Sequence, residues 1–266
     1  MKIPVFNTLE VSVDGSRGAL TLNRPEHLNP LSPETLAELT AAADFLAACE
    51  GLKVVVVSGK GRAFSAGADV AAFAAVAEGK SAPNPRALAD LGRLMAEAVE
   101  GIAAVTVARI QGHCVGGAVV LASACDLRVA ADDVRFVIPE IDLGIPLTWG
   151  GIPRLVREIG PALTKELVMT CRPFTAAEAH AAGFINRVVA PDQLDREVEA
   201  LAAELADKPA LALLATKRQV NAVTQASVGL AHSWADADGQ LAGLRDPEGR
   251  ASALRYLERL RSRRSR

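Results

Sequence analysis

Two segments rich in small residues could present backbone N–H groups to an atom that carries negative charge. Residues 59–69 (GKGRAFSAGAD) and residues 111–127 (QGHCVGGAVVLASACDL) each follow a β-type run and lead into a helix-type run. A turn into a helix start exposes unpaired amides at the positive end of the helix dipole. If the two turns converge, one amide from each could hold an oxygen on which negative charge develops. Taken singly, each segment could equally serve only to let a helix approach a strand.

Known glycine motifs offer a further interpretation of the second segment but not of the first. Phe64 stands where a dinucleotide fingerprint needs its third glycine, and no GK[ST] sequence closes the first segment as in a phosphate-binding loop. Residues 112–116 (GHCVG), however, fit the G-x-S-x-G nucleophile elbow with Cys114 in place of serine. A cysteine hydrolase with His180 or His232 as its base is therefore an alternative.

The elements that must position these segments alternate between strand and helix over the first two thirds of the chain. Runs of β-branched and apolar residues predict strands at residues 9–13, 18–22, 54–57, 105–110, 127–130 and 136–138. Helix starts and apolar spacing predict helices over residues 32–48 and 116–124, and a further helix that begins near Asp69. This alternating order predicts the α/β class.

The last third of the chain has a different character. Apolar residues at helical spacing begin at Leu194, and no strand signal returns after Pro191. We therefore predict two domains, residues 1–193 and residues 194–266. The arginine-rich end from Arg255 to Arg266 is expected to be a solvated, frayed helix end.

Composition excludes several classes of function. Lysine and arginine number 29 against 31 aspartates and glutamates, a net charge of −2 that calls for neither a nucleic-acid partner nor an anionic membrane. No apolar run is long enough for a signal peptide or a membrane span, which predicts a cytoplasmic protein. The four cysteines and four histidines lack the spacing of a metal site or a disulfide framework, so we expect no metal.

Several motifs, in this order along nearly the whole chain, resemble the crotonase (enoyl-CoA hydratase/isomerase) superfamily. The most specific are FSAGAD, GHCVGGA and CDLRVA at residues 64–69, 112–118 and 125–130. Supporting matches are LNRPEHLNPLS, PEIDLGI, GGIPRL, FTAAEAHAAGFINRVV and ALALLATKR at residues 22–32, 139–145, 150–155, 174–189 and 210–218.

The resemblance implies an architecture and a substrate class. It implies a spiral of repeated ββα units followed by a helical trimerisation domain, assembled as a homotrimer or homohexamer. It implies acyl-CoA thioesters as substrates, so that coenzyme A arrives as part of the substrate and no separate cofactor is needed. The oxyanion-hole amides would be those of Ala68 and Gly117, which would hold the thioester oxygen as an enolate forms.

The resemblance also places the catalytic base at Glu140, where burial after an apolar strand could raise the pKa. Family hydratases carry a second glutamate where this chain has Val120, so hydration is disfavoured and a one-base double-bond isomerase is predicted. A dienoyl-CoA isomerase would need acidic residues at Val120 and Thr148. A hydratase-like lyase acting on an unusual acyl-CoA and an acyl-CoA binder without catalysis remain alternatives.

Substrate contacts are predicted around the two turns and beyond them. Family lysines are absent at Glu26 and Ala71, so contacts to the CoA phosphates are expected from Arg24 and Arg62, with the C-terminal arginines as an alternative source. Trp149 is expected to line the acyl pocket, and Trp234 could close it, although either side chain could equally be part of the ordinary core. The turn residues expected to contact substrate are Phe64, Ala66, Gly67, Gly116 and Val120.

Overall fold

The computed structural model describes residues 2–69, 84–231 and 233–264. The strands in these residues are β1 (Leu9–Asp14), β2 (Arg17–Leu22), β3 (Val54–Gly59), β4 (Val105–Ile110), β5 (His113–Val115), β6 (Leu127–Ala131), β7 (Arg135–Val137), β8 (Phe174–Thr175) and β9 (Arg187–Val189). The helices are α1 (Pro33–Ala47), α2 (Pro85–Glu100), α3 (Gly117–Ser123), α4 (Gly151–Thr170), α5 (Ala176–Ala181), α6 (Leu194–Asp207), α7 (Ala210–Ser227), α8 (Asp236–Arg245) and α9 (Pro247–Arg264).

The strands form two sheets. The larger has the order β1-β2-β3-β4-β6-β9, with β1 antiparallel to β2 and the other neighbours parallel. The smaller has the order β5-β7-β8. Two successive units, β4-β5-α3 and β6-β7-α4, have the same order. In each unit the first strand belongs to the large sheet, the second strand belongs to the small sheet, and a helix follows. The predicted α/β class with ββα repeats is therefore confirmed.

Local sequence accounts for most of these elements. The Ser32 hydroxyl oxygen accepts from the Thr35 N–H at 3.2 Å and Pro33 occupies the first turn, so α1 begins where predicted. Helix α3 begins one residue later than predicted, because Gly116 has a non-helical φ of 51°. Strand β7 ends at Val137 rather than at residue 138, just before Pro139, which has no N–H to donate. The helix expected near Asp69 would fall on residues 70–83, outside the described residues.

The C-terminal helices pack in two ways. Helix α6 begins at the predicted boundary, Leu194, and packs its buried face against β3, β4 and β6 of the large sheet. Helices α8 and α9 instead fold back, α8 against α2 and α9 against α8. The division into domains of residues 1–193 and 194–266 stays a prediction. In the part of the chain described, no helix has both the length and the apolar character of a membrane span.

Three glycines fix α8 and α9 close to the loop that follows β7. A β-carbon at Gly144 would overlap the carbonyl oxygen of Gly249, and one at Gly243 would lie 2.5 Å from the carbonyl oxygen of Gly144. The Ser252 hydroxyl donates to the Asp142 carbonyl at 3.0 Å. The backbones can approach this closely only because these positions carry no side chain.

Candidate active site

The two small-residue turns lie side by side. Parallel bridges join Ser65 to Cys114 and Leu31 to Ala68. Gly67 has a φ of 81°, and a β-carbon there would overlap the carbonyl oxygen of Val115 and lie 3.6 Å from the amide nitrogen of Gly117. Glycine is therefore required at position 67 for its backbone conformation and for the close approach of the second turn.

Each turn contributes an amide that has no acceptor in the described part of the structure. The Leu31 N–H donates to the Gly67 carbonyl at 2.8 Å, and the Asp69 N–H donates to the Leu31 carbonyl at 3.3 Å. Ala68 lies between Gly67 and Asp69, so its N–H is directed away from Leu31. Gly117 is the first residue of α3, where N–H groups have no acceptor within the helix. Within the described ranges, neither amide has a hydrogen-bond acceptor. Their arrangement suits an oxygen with developing negative charge.

A carboxyl group lies against the second turn. Glu140 follows β7 and Pro139, and 8% of its surface is exposed. Its Oε2 atom is buried without a hydrogen-bond partner in the described structure, and a β-carbon at Gly116 would lie 2.5 Å from its Oε1 atom. Burial raises the pKa of Glu140 to about 7. A carboxyl group with this pKa can both accept and return a proton near neutral pH.

The amides and the carboxyl group share one cavity. It is lined by Ala66, Ala68, Val115, Gly116, Gly117, Val120, Pro139, Glu140, Leu143, Ile145, Leu147, Thr148, Trp149, Gln240, Tyr256 and Leu257. Glu140 is the sole carboxylate among these residues. Elsewhere in the described ranges, no group of three or more His, Cys, Asp or Glu side chains is arranged to hold a metal ion.

A family model described as enoyl-CoA hydratase/isomerase matches residues 15–263. The chain belongs to this family. A crotonyl-CoA hydratase of Syntrophomonas wolfei is 34% identical over 222 residues, which cover 83% of this chain and 84% of the relative. The peroxisomal Δ(3,5)-Δ(2,4)-dienoyl-CoA isomerase of Arabidopsis thaliana is 32% identical over 229 residues, which cover 82% of each protein.

Solved structures of the enoyl-CoA hydratase/isomerase family share this fold. The crystal structure of an enoyl-CoA hydratase/isomerase from Xanthobacter autotrophicus Py2 is similar with a TM-score of 0.85 and 29% identity, and the match covers 97% of this chain and 94% of the other. The predicted membership of the crotonase superfamily is confirmed.

The structure brings most of the predicted site residues of this family member together. The predicted base and both predicted oxyanion-hole residues line the cavity, as do four of the predicted substrate contacts: Ala66, Gly116, Val120 and Trp149. The indole of Trp149 packs directly on Gly117, because a β-carbon at that glycine would overlap the ring. The catalytic and binding roles of these residues stay predictions.

Other predicted contacts lie elsewhere. The Phe64 side chain is fully buried in the hydrophobic core and does not line the cavity, so the predicted contact of Phe64 with substrate stays a prediction that its side chain does not support. Gly67 does not line the cavity either. Its contribution is the positive φ of the first turn and the close approach of the second turn. Trp234 is 64% exposed and does not close the cavity.

The two arginines expected to contact the CoA phosphates also lie outside the cavity. Arg24 and Arg62 are on neighbouring turns, where a β-carbon at Gly61 would lie 2.8 Å from the Pro25 side chain. Both remain predicted phosphate contacts. Ala71, the position of the second missing lysine, lies outside the described residues.

Three cavity residues come from C-terminal helices for which the sequence predicted no role in the site. Gln240 comes from α8, and Tyr256 and Leu257 come from α9, within the segment expected to be a solvated end. No motif marks these residues. The one signal was the apolar character of positions 253 and 257 along α9, which indicates a buried face but not what the face contacts.

The structure disfavours the cysteine-hydrolase alternative. Cys114 lies within β5 with no exposed surface, and burial raises the pKa of its thiol well above the usual range. A nucleophilic cysteine needs the opposite environment, which is partly exposed and favours the thiolate. The His180 ring nitrogen Nδ1 is paired with the Ile185 carbonyl at 2.7 Å, and His232 lies outside the described residues.

Proposed function

We propose that this protein is a one-base double-bond isomerase of enoyl-CoA thioesters. Glu140 removes a proton from C2 of a 3-enoyl-CoA, and the electron pair of that bond moves onto the thioester to give a conjugated enolate. The Ala68 and Gly117 amides hold the enolate oxygen. Glu140 then returns the proton to C4, the double bond moves to C2–C3, and no atom is gained or lost.

The presence of a single carboxyl group among the described lining residues carries this proposal. Hydration in the manner of the family uses one group to handle water and another to deliver a proton, and a valine can do neither. Val120 lines the cavity at the position of the second glutamate and is 1% exposed. The shift of a double bond needs only one group that accepts a proton at one carbon and returns it at another.

A hydratase-like lyase acting on an unusual acyl-CoA is the second candidate. The observation that favours it is the name of the similar Syntrophomonas wolfei protein, a crotonyl-CoA hydratase. Both candidate reactions would use an enolate whose oxygen is held by the two amides. They differ at C3, which gains an oxygen from water in hydration and gains none in the double-bond shift.

We further propose that the protein assembles as a homotrimer or homohexamer through its C-terminal helices. Helix α7 has only Lys217 buried within the chain and exposes Leu211, Val220 and Val223. An exposed apolar row of this kind is typical of a subunit interface. Light scattering coupled to gel filtration measures the assembly, and a monomer across micromolar concentrations would contradict it.

The isomerase proposal is tested by a paired assay of the wild type and Glu140→Gln. Each protein receives 3-hexenoyl-CoA and crotonyl-CoA in separate reactions, and products are separated by chromatography. We expect the wild type to convert 3-hexenoyl-CoA to 2-hexenoyl-CoA and the variant to lose at least about 1,000-fold in rate, because glutamine cannot accept the proton. Glu50→Gln is the matched control, because Glu50 is exposed and is distant from Glu140 in the sequence.

Other outcomes of this assay separate the alternatives. Robust hydration of crotonyl-CoA with no shift of 3-hexenoyl-CoA would favour the lyase. Binding of both thioesters without turnover of either would favour a binder without catalysis. If the protein is an isomerase, we expect the wild type in D2O also to exchange the C2 hydrogens of saturated hexanoyl-CoA for deuterium, because enolate formation does not need the double bond.

A further inference from the structure

The cavity has uncharged polar side chains in its lining. Thr148, Gln240 and Tyr256 line it together with Glu140, while the remaining lining residues are small, aliphatic or the indole of Trp149. The one-base reaction proposed above uses only Glu140 and the two backbone amides. The three uncharged polar side chains therefore have no role in it.

Thr148 and Gln240 form a loose pair that leaves polar atoms unused. The Thr148 hydroxyl donates to the Gln240 Oε1 atom at 3.4 Å, and Thr148 is 6% exposed. No described residue accepts a hydrogen bond from the Gln240 Nε2 group. Whichever way the amide is turned, one of its polar atoms stays without a protein partner.

Tyr256 adds a third group. It is the one tyrosine of the chain, and its hydroxyl has no hydrogen-bond partner within the described ranges. Burial and the nearby charge of Glu140 raise the pKa of Tyr256, so the phenol keeps its proton and is a hydrogen-bond donor. The Arg259 guanidinium lies 5.6 Å from the centre of the ring and packs on its face.

These side chains are held in place by the chain itself. Gln240 lies on α8 and Tyr256 on α9, the helices that the glycine contacts at Gly144 dock onto the loop after β7. Thr148 lies on that same loop, just before Trp149. The polar groups are thus fixed around the cavity before any ligand enters, which lowers the entropic cost of using them.

We infer that the acyl group bound here carries a hydroxyl or carbonyl oxygen beyond the thioester, and that Thr148, Gln240 and Tyr256 recognise it. An alkyl chain would displace water from these groups and leave them unpaired, whereas an oxygen in the chain would restore a hydrogen bond. Sites built in this way reject analogues that lack the polar group. The inference rests on the proposed function, because it concerns the substrate of the same site.

Binding of saturated thioesters tests the inference without the double-bond shift. Titration calorimetry compares hexanoyl-CoA with 4-oxohexanoyl-CoA, 5-oxohexanoyl-CoA and 6-hydroxyhexanoyl-CoA on the wild-type protein. We expect at least one oxygen-bearing ligand to bind about tenfold more tightly than hexanoyl-CoA, the gain from one good hydrogen bond. Equal or tighter binding of hexanoyl-CoA than of all three would overturn the inference and leave the isomerase proposal standing. No binding by any of the four would overturn both.

Variants identify the groups responsible. Thr148→Val, Gln240→Leu and Tyr256→Phe each remove polar atoms with little change of volume, and we expect each to reduce the preference for the oxygen-bearing ligand severalfold. Arg259→Gln is the matched control, because Arg259 contacts the same tyrosine ring but does not line the cavity. A preference that survives all three polar variants would overturn the assignment, and circular dichroism checks that each variant folds.

Discussion

The carboxyl group of Glu140 lies directly against the backbone of Gly116. A β-carbon at position 116 would lie 2.5 Å from Oε1, and the φ of Gly116 is 51°, a conformation that favours glycine. The Gly116 N–H donates to the Val137 carbonyl at 2.8 Å, three residues before Glu140. This hydrogen bond and this contact fix the proposed base relative to the turn that presents the Gly117 amide.

Gly116→Ala should therefore damage catalysis far more than an ordinary glycine substitution does. The added methyl group would push the carboxyl group away from the amides, and a displacement of about 1 Å can cost about 100-fold in rate. Gly15→Ala is the matched control, because Gly15 also has a positive φ, 56°, but no atom within 4 Å of the added carbon. We expect that control to lose about 1 kcal/mol of stability and no activity. Equal activity of the two variants in the isomerase assay would contradict the contact.

The rate should depend on pH through the ionisation of Glu140. The reaction needs the carboxylate form, and the pKa of Glu140 is raised to about 7 by burial. We expect kcat/KM for 3-hexenoyl-CoA to fall about tenfold for each unit of pH below 7 and to level off above it. Binding of hexanoyl-CoA, measured at the same pH values, shows whether the fall is in chemistry. A profile that is flat down to pH 5 would contradict the prediction.

The same ionisation should affect stability with a definite sign. The folded protein keeps the Glu140 proton up to about pH 7, whereas the unfolded chain loses it near the ordinary value of 4.5. The stability that the neutral carboxyl group contributes is thus complete below pH 4.5 and lost as pH rises through 7. Glutamine is neutral throughout, so Glu140→Gln should gain about 3 kcal/mol relative to the wild type between pH 4.5 and pH 8. Urea unfolding at the two pH values measures this difference, and no change in it would argue against a buried carboxyl group.

Local sequence predicted the secondary structure well, because the signals that set it are local. The β-branched run at residues 54–57 and the cap at Ser32 depend on neighbours a few residues away. The resemblance of motifs then predicted that two distant turns and Glu140 belong to one site. The cavity contains all three.

Contacts that depend on docking could not be predicted in this way. The sequence predicted a solvated end for residues 255–266, whereas the docking of α9 against the loop at Gly144 places Tyr256 and Leu257 on the cavity. Phe64 is the opposite case, a motif residue whose side chain does not reach the cavity. Its backbone joins the two turns, with its N–H donating to the Gln111 carbonyl at 2.8 Å, while its large apolar side chain is buried in the core. The position of a residue in a motif does not reveal the direction of its side chain.

Trp149 should depend on the absence of a side chain at Gly92. Gly92 lies in the middle of α2, and a β-carbon there would overlap the indole that packs on Gly117. Gly92→Ala should therefore cost about 2 kcal/mol by overpacking and lower the isomerase rate. In a Trp149→Leu background the same change should be neutral or stabilising by up to about 1 kcal/mol, because alanine favours a helix more than glycine does. Chemical denaturation of the four proteins forms a double-mutant cycle, and additive effects would contradict the contact.

Lys217 should be a major source of stability although it lies far from the cavity. Its ammonium group donates to the carbonyls of Ile102 and Ala104 at 2.7 and 2.8 Å and pairs with Asp126 at 2.7 Å, with 7% of the side chain exposed. Lys217→Met would leave a carboxylate and two carbonyl groups without this partner, which typically costs about 3 kcal/mol or more. Lys165→Met, at an exposed position, should cost almost nothing.

Adding Asp126→Asn to Lys217→Met should recover part of the loss, because much of the cost is the unpaired charge rather than the missing attraction. Urea unfolding of the two single variants and the double variant measures this coupling. Because Asp126 also accepts from the Thr106 N–H at 2.7 Å, recovery should be incomplete. A Lys217→Met protein as stable as Lys165→Met would show that this buried network does not hold α7 against the end of α2 and the start of β4.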